Sequence, residues 1–268
     1  MNGPHVVVIG GYLTEPLNYR PFRARLLERG AERVTQAPIH LPDWAVVSFA
    51  GMGPLLLRGA RAIRQARRRS PGPLLVIGHS LGGLVARLAM APEPLDGRVA
   101  GVAQDVGCLV TLGTPHRFHP TVPWRHPGVA AAEHLERVSP GAWFAPRTGY
   151  LTVGSTLTRP ATRAPIRSVV QLSNRVLLGF VGDVPGGRGD GLVGDQLSRL
   201  SGARHLSYPD VRHGTLGAPW YGDEHVLERW WPVALETWRA ALDARAGAGE
   251  SAPASRRAAA DTAVRPRG

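Results

Sequence analysis

Eleven consecutive residues decide the fold: Leu74-Leu75-Val76-Ile77-Gly78-His79-Ser80-Leu81-Gly82-Gly83-Leu84. The apolar residues before Gly78 predict a buried strand, and apolar residues from Leu81 onward recur at helical spacing. A strand that turns sharply into a helix strains the backbone of the serine between them, and it crowds the positions on both sides. Glycine is therefore needed at Gly78 and Gly82. The segment predicts that the Ser80 hydroxyl stands at the carboxyl end of a strand, above a helix N-terminus that favours negative charge.

Short apolar runs alternate with helical patterns along most of the 268 residues. The predicted strands are residues 5–9, 34–39, 46–49, 74–77, 106–112, 150–153 and 204–208. The predicted helices are residues 19–30, 55–69, 84–90, 166–181 and 224–244. This alternation predicts an α/β fold with a mostly parallel central sheet and helices on both faces, and one core can be this large.

Two long stretches interrupt the alternation near the carboxyl ends of the late strands. They are residues 115–149, with the aromatic residues Phe118, Trp124, Trp143 and Phe144, and residues 155–182, with the apolar stripe 166–181. Connections this long usually form lids or binding loops, so we expect a cap with an apolar cleft over Ser80. The alternative is that they complete the core. We expect the domain to span residues 1–246, and residues 247–268, rich in Ala, Arg, Gly and Pro, to form a disordered tail.

A serine hydroxyl needs a base to become a nucleophile, and the base needs a carboxylate to orient it. On a strand-turn-helix of this kind the acid and then the histidine follow the serine in the chain. Asp190, between two glycines, is the preferred acid. His213, 23 residues later and just past the last predicted strand, is the preferred base. The less favoured candidates are Asp183 and Asp195 for the acid, and His205 and His225 for the base.

Acyl transfer also requires donors for the oxyanion that forms on the substrate. One expected donor is the backbone N–H of Leu81, which directly follows the nucleophile. The turn after the first strand, Ile9-Gly10-Gly11-Tyr12, approaches closely because of its glycines. The N–H of Tyr12 is the preferred second donor, and that of Gly11 is the alternative.

Together these motifs resemble those of the α/β-hydrolase superfamily, and within it those of the bacterial lipases and esterases. The similar segments are residues 78–83, 111–116, 189–193 and 220–222. The resemblance implies the α/β-hydrolase fold and the hydrolysis of carboxylic esters, with Ser80 as nucleophile, Asp190 as acid and His213 as base. Lipases usually carry a histidine before the oxyanion glycine, whereas this chain has Gly10. An acyltransferase or thioesterase with the same triad, and a binding protein on the same scaffold, are the alternative functions.

The net charge of +12 comes from arginine alone, since the sequence contains no lysine. The densest run, residues 58–69, places arginines on one face of a predicted helix, where a solvated surface is the preferred interpretation and an anion, lipid or nucleic-acid patch the alternative. No nucleic-acid-binding motif accompanies it. The resemblance implies an ester as the partner, and the apolar cap segments favour a small one with a hydrophobic acyl group.

The sequence does not predict a cofactor, a metal or a membrane segment. His116, His119, His126 and His134 invite a zinc site, but they lack a compact ligand spacing, so solvent-facing or pocket-lining roles are preferred. The single cysteine, Cys108, is expected in the core. No apolar stretch approaches the ~18 residues that a membrane helix needs, and no secretory signal is recognisable, so a cytoplasmic location is expected.

Overall fold

The structure is a computed structural model that describes residues 3–119, 126–157, 187–214 and 219–250. A six-stranded sheet forms its centre, with the strand order β2-β1-β3-β4-β5-β6 and every neighbouring pair parallel. The strands are β1 His5–Ile9, β2 Arg33–Gln36, β3 Leu74–His79, β4 Val106–Leu112, β5 Gly149–Ser155 and β6 Arg204–Tyr208. The central strands β1, β3 and β4 are buried along their whole length, because helices cover both faces.

Six α-helices lie in the described part of the chain. They are α1 Arg20–Glu28, α2 Leu41–Ala50, α3 Gly53–Arg67, α4 Leu81–Met90, α5 Pro127–Val138 and α6 Glu224–Glu250. Helices α1 and α6 supply Phe22 and Trp230 to the apolar core on one face of the sheet. Helices α2 to α5 supply residues such as Leu56 and Leu135 to the core on the other face. The predicted α/β architecture is confirmed, and Cys108 lies fully buried in β4.

The predicted strand at 46–49 is wrong, because this segment belongs to helix α2. Pro42 stands in the first turn, and Asp43 accepts a hydrogen bond from the backbone N–H of His40, so the helix start is specified locally. Trp44 and Val47, three residues apart, are buried on one helix face. A short apolar run looks the same in either structure, and the capping residues before it were the missed signal.

Helix α6 continues to Glu250 and so includes the first four residues of the predicted tail, 247–268. The segment 244–250 contains no proline, and its alanines favour helix. Residues 251–268 lie outside the described residues.

The two expected cap segments are described only in part. Helix α5, inside the first segment, buries Ala131, Leu135 and Val138 in the main core, so this portion completes the core. The prediction that Trp143 and Phe144 line a cleft over Ser80 is wrong, because both lie beside Met90 at the opposite end of α4. Trp124 and the helix predicted at 166–181 lie outside the described residues. A cap over Ser80 therefore stays a prediction.

Several arginines of helix α3 bind groups of the same chain. Arg58 pairs with Asp43 at 2.8 Å, and Arg67 lies 3.7 Å from Asp105. Arg64 donates to the carbonyl of Ala100 at 2.6 Å. These contacts join α3 to neighbouring segments, and they support the interpretation of a solvated helix face. Among the described helices, none is both long enough and apolar enough to cross a membrane.

Candidate active site

The turn between β3 and α4 holds Ser80 in a strained backbone conformation, with φ 54° and ψ −131°. A side chain at Gly78 would collide with the backbone of Gly83, and one at Gly82 would collide with the carbonyl of Ile9. Both glycines are therefore required by close backbone approach. The Ser80 N–H donates to the carbonyl of Leu112 at 2.9 Å, which fixes the turn to the end of β4. Strain of this kind persists only where the surrounding structure enforces it, and it marks functional positions.

His213 lies between the serine and a carboxylate. Its Nε2 is 2.9 Å from Ser80 Oγ, and its Nδ1 is 2.8 Å from Asp190 Oδ2. An ionised carboxylate only accepts hydrogen bonds, so Nδ1 carries the proton and Nε2 is left to accept the Ser80 hydroxyl. The backbone N–H of His213 also donates to the Asp190 carbonyl at 2.9 Å. The fold thus brings together three residues that are up to 133 positions apart in the chain.

The Asp190 carboxylate is buried and accepts four hydrogen bonds. Oδ1 accepts the N–H groups of Leu192 and Val193 at 3.0 and 2.8 Å, and Oδ2 accepts the Tyr221 hydroxyl at 2.8 Å in addition to His213. Burial raises the pKa of Asp190, but the charge and hydrogen bond of His213 and the two backbone N–H groups outweigh it, so the pKa is lowered. Asp190 therefore remains ionised beside His213.

The other candidate acids and bases are not in this relay. Asp195 binds His205, whose Nε2 lies 3.1 Å from its Oδ1, and it also binds Ser207 and Arg199. His225 is exposed on helix α6. Asp183 lies outside the described residues.

The turn after β1 lies directly against the nucleophile. A Cβ on Gly11 would come within 2.7 Å of Ser80 Cβ, so only glycine allows this approach. The N–H of Gly11, the alternative oxyanion donor, instead donates to the hydroxyl of Tyr19 at 2.9 Å. Leu81 is the first residue of α4, where backbone N–H groups have no partner within the helix.

Sequence reasoning missed the side chains that surround the relay. Tyr221 lies in a segment noted only for its resemblance, and nothing in its local pattern shows that its hydroxyl reaches Asp190. Gly113, with φ 55°, leaves space for the acid and base, because a Cβ there would lie 2.6 Å from Asp190 Oδ2 and 3.1 Å from His213 Nδ1. His79 has its ring centroid 5.0 Å from that of His213.

The histidines considered for zinc lie in different environments. His116 is buried between Thr111 and Arg87, His126 accepts the N–H of Gly128 at the start of α5, and His134 is 3.1 Å from Arg137. Burial lowers the pKa of His126 to about 4, and burial followed by the charge of Arg87 lowers that of His116 well below its usual value. Within the described ranges, no three His, Cys, Asp or Glu side chains meet in a group that could hold a metal ion.

Comparison with known proteins agrees with this fold. The family described as the PGAP1-like alpha/beta domain matches residues 55–130, which include the turn at Ser80. A Bacillus licheniformis lipase, BlEst2, in its mature form has a similar structure, with a TM-score of 0.62 at 13% identity over 87% of this chain and 93% of that one. Its propeptide form matches with a TM-score of 0.62 at 14% identity, over 87% of this chain and 50% of that one. No curated protein matches the sequence.

These observations define a protein with the α/β-hydrolase fold. Its motifs resemble those of lipases and esterases, and the structure to which it is similar is that of a lipase.

Proposed function

We propose that this protein is a serine hydrolase that cleaves carboxylic esters through an acyl-enzyme intermediate. The observation that carries the proposal is the continuous hydrogen-bonded relay from Ser80 through His213 to Asp190, with Ser80 in a strained turn. The chemistry requires these three groups in this order. The lipase-like fold is consistent with it.

In the first half of the reaction, Ser80 Oγ attacks the carbonyl carbon of the ester while His213 Nε2 takes the hydroxyl proton. The imidazolium that forms is stabilised by the ionised Asp190, which also holds the ring in the required tautomer. When the tetrahedral intermediate collapses, the proton on Nε2 passes to the leaving alcohol. The acyl group then remains on Ser80. In the second half, a water molecule gives a proton to Nε2 and attacks the acyl carbon. When this second tetrahedral intermediate collapses, the bond from the acyl carbon to Ser80 Oγ breaks, the proton on Nε2 returns to Oγ, and the carboxylic acid leaves.

The negative charge on the tetrahedral intermediate needs donors in fixed positions. The N–H of Leu81, at the start of α4, is the first proposed donor, where the helix dipole adds to its effect. The N–H of Tyr12 is the second. The bond from Gly11 N–H to Tyr19 supports this choice over Gly11, because that donor is already used.

The proposed substrate is a small ester with a hydrophobic acyl group. Tyr12 is partly exposed and packs edge-to-face on the buried Trp44, with ring centroids 5.5 Å apart, and Leu13 beside it is 50% exposed, so two apolar side chains of the oxyanion turn are accessible to an acyl group. The ratio kcat/KM should therefore rise from acetyl to longer acyl esters. A flat or falling series would contradict the apolar acyl site without affecting the triad.

A fluorophosphonate probe tests the proposed reaction class directly, because it labels a serine only where a base activates it. We expect stoichiometric labelling that peptide mass mapping assigns to Ser80, and no labelling of Ser80→Ala. The matched control is Ser207→Ala, which removes a hydroxyl bound to the other aspartate, Asp195. Labelling that persists in Ser80→Ala, or is absent in the unaltered protein, would refute the proposal.

A further inference from the structure

A chain of buried hydrogen bonds connects the oxyanion turn to the loop that carries the base. The N–H of Gly11 donates to the Tyr19 hydroxyl at 2.9 Å, and this hydroxyl is 2.7 Å from Nδ1 of His79. At the other end of the ring, Nε2 of His79 is 2.9 Å from the backbone carbonyl of His213. Tyr19 and His79 are both buried, at 0% and 3% exposure. The chain therefore joins residues 11 and 213 without passing through Ser80.

The direction of each hydrogen bond follows from the chemistry of the groups. The carbonyl of His213 can only accept, so His79 Nε2 must carry a proton and donate it. In the neutral ring Nδ1 must then accept, and the Tyr19 hydroxyl must be its donor. Burial, followed by the nearby His213, lowers the pKa of His79 to about 3, so the ring is neutral. Each hydrogen bond between Gly11 and His213 therefore has a single possible donor.

Two further contacts fix the same turn. Thr14 donates through both its hydroxyl, at 2.6 Å, and its backbone N–H, at 3.3 Å, to the carbonyl of Gly11. In a planar trans peptide the Tyr12 N–H points opposite to that carbonyl, so holding the carbonyl orients the proposed donor. A Cβ on Gly10 would lie 2.7 Å from the Tyr19 ring. Tyr19 thus fills the space beside the position where lipases usually carry a histidine.

We propose that Tyr19 and His79 are positioning residues, which hold the oxyanion turn in a fixed relation to the base His213. This inference rests on the proposed ester hydrolysis. Neither side chain touches the Ser80 hydroxyl through a hydrogen bond in the structure; both act on the two segments beside it. Their effect is to aim the Tyr12 N–H at the oxyanion and to exclude the Gly11 N–H from that role.

The substitution Tyr19→Phe removes one hydroxyl and leaves the ring in place. Because the oxyanion exists only in the transition state, kcat should fall by about 10- to 100-fold while KM stays nearly unchanged. The inhibition constant of a trifluoromethyl ketone, which forms an oxyanion on Ser80, should rise by the same factor as kcat/KM falls. Substitution of a residue that only stabilised the fold would change neither kcat nor the inhibition constant of the ketone in the folded enzyme.

Tyr150→Phe is the matched control. Tyr150 is also buried, and its hydroxyl also accepts a backbone N–H, that of Phe144, but it lies near the start of β5, away from the carboxyl end of the sheet. We expect this variant to lose stability and to retain the kcat and the inhibition constant of the unaltered enzyme.

Two substitutions of His79 each break one end of the hydrogen-bond chain. They also provide the test if Tyr19→Phe fails to fold. Asparagine offers an oxygen near the position of Nδ1 and loses the contact with His213, whereas glutamine offers an N–H near the position of Nε2 and loses the contact with Tyr19. Both His79→Asn and His79→Gln should lower kcat and weaken the ketone in parallel. Full activity in folded Tyr19→Phe or in both His79 variants would overturn the inference alone. Failure of the unaltered protein to hydrolyse esters and to react with fluorophosphonate would overturn the proposed function, and this inference with it.

Discussion

Two aspartates five residues apart on one loop each bind a histidine, and each histidine binds a hydroxyl. Asp190 binds His213, which reaches Ser80. Asp195 binds His205, whose Nδ1 lies 2.7 Å from the hydroxyl of Thr152. The two arrangements have the same chemical composition of acid, imidazole and alcohol, and their distances are alike.

The hydroxyls at the ends of the two relays differ in backbone conformation and access. Ser80 stands at the carboxyl end of β3, has a positive φ and is partly exposed. Thr152 lies in the middle of β5 with 1% exposure, and this strand pairs with β4 on one side and β6 on the other. A substrate carbonyl can approach the first hydroxyl, whereas the sheet encloses the second.

The two carboxylates also differ in what surrounds them. Asp190 meets a neutral donor, the Tyr221 hydroxyl, whereas Asp195 meets the guanidinium of Arg199 at 2.8 Å. Burial raises the pKa of Asp195, but hydrogen bonds from His205, Ser207 and Arg199 outweigh it and lower the pKa to about 2. The charge of Asp195 is already balanced by its ion pair with Arg199. We interpret Asp195 as a structural residue that anchors its loop to β5 and β6. An acid, a histidine and a hydroxyl therefore form a candidate triad only where a substrate can reach the hydroxyl.

The largest expected difference lies between the two hydroxyls. Ser80→Ala should lower kcat for p-nitrophenyl butyrate by about 10^4- to 10^6-fold, since members of a triad act as a unit. Thr152→Val should leave kcat/KM close to that of the unaltered protein and cost about 1 kcal/mol of stability through its lost hydrogen bond. Circular dichroism on both variants checks that the fold is retained. Comparable losses of activity in the two variants would remove the distinction between the sites.

The second-largest difference is expected between substitutions of the two aspartates. Asp190→Asn should lower kcat by about 10^4-fold, because an amide favours the wrong tautomer of His213. Asp195→Asn should retain kcat per folded molecule but lower the free energy of unfolding by about 1 to 3 kcal/mol. Steady-state kinetics combined with urea unfolding separates the two effects.

The pH dependence of the free energy of unfolding tests whether the charge of Asp195 is the source of this stability. A carboxyl group with a lowered pKa contributes stability that is present above its usual value of 3.8 and is lost as the pH falls towards about 2. The unfolding free energies of the unaltered protein and the variant should therefore differ at pH 6 and converge near pH 2. A difference that is constant with pH would contradict the ion pair as its source.

The smallest expected difference concerns the donors to the two carboxylates. Tyr221→Phe should lower kcat by about 3- to 10-fold, equivalent to roughly 1 kcal/mol, because one of four hydrogen bonds that hold Asp190 is lost. The negative charge left on Oδ2 stabilises the imidazolium, so the acid limb of the pH profile of kcat/KM should move to higher pH. Arg199→Gln, the corresponding change at Asp195, should leave that profile in place. An unchanged profile in Tyr221→Phe would show that its hydroxyl does not act on the relay.

Patterns formed by neighbouring residues predict the local structure of this chain. The strand and turn at 74–84 predicted the strained serine, and the glycines beside Asp190 predicted a tight loop. The short run at 46–49 was misassigned because four apolar residues fit a strand or a helix equally well. The predicted position of Trp143 and Phe144 is wrong because apolar character does not show at which end of a helix a residue packs, nor whether it is buried: Trp143 is 53% exposed.

The sequence by itself determined the parallel α/β sheet, the conformation at Ser80 and the preference for Asp190 and His213, because each depends on local backbone geometry and on chain order. Only the tertiary structure separated Asp190 from Asp195, placed Tyr221 on the acid and connected Gly11 to His213 through Tyr19 and His79. These contacts join residues up to 134 positions apart. Their hydrogen bonds depend on ångström-scale distances that the packing of the sheet and helices sets, and no periodicity along the chain encodes them.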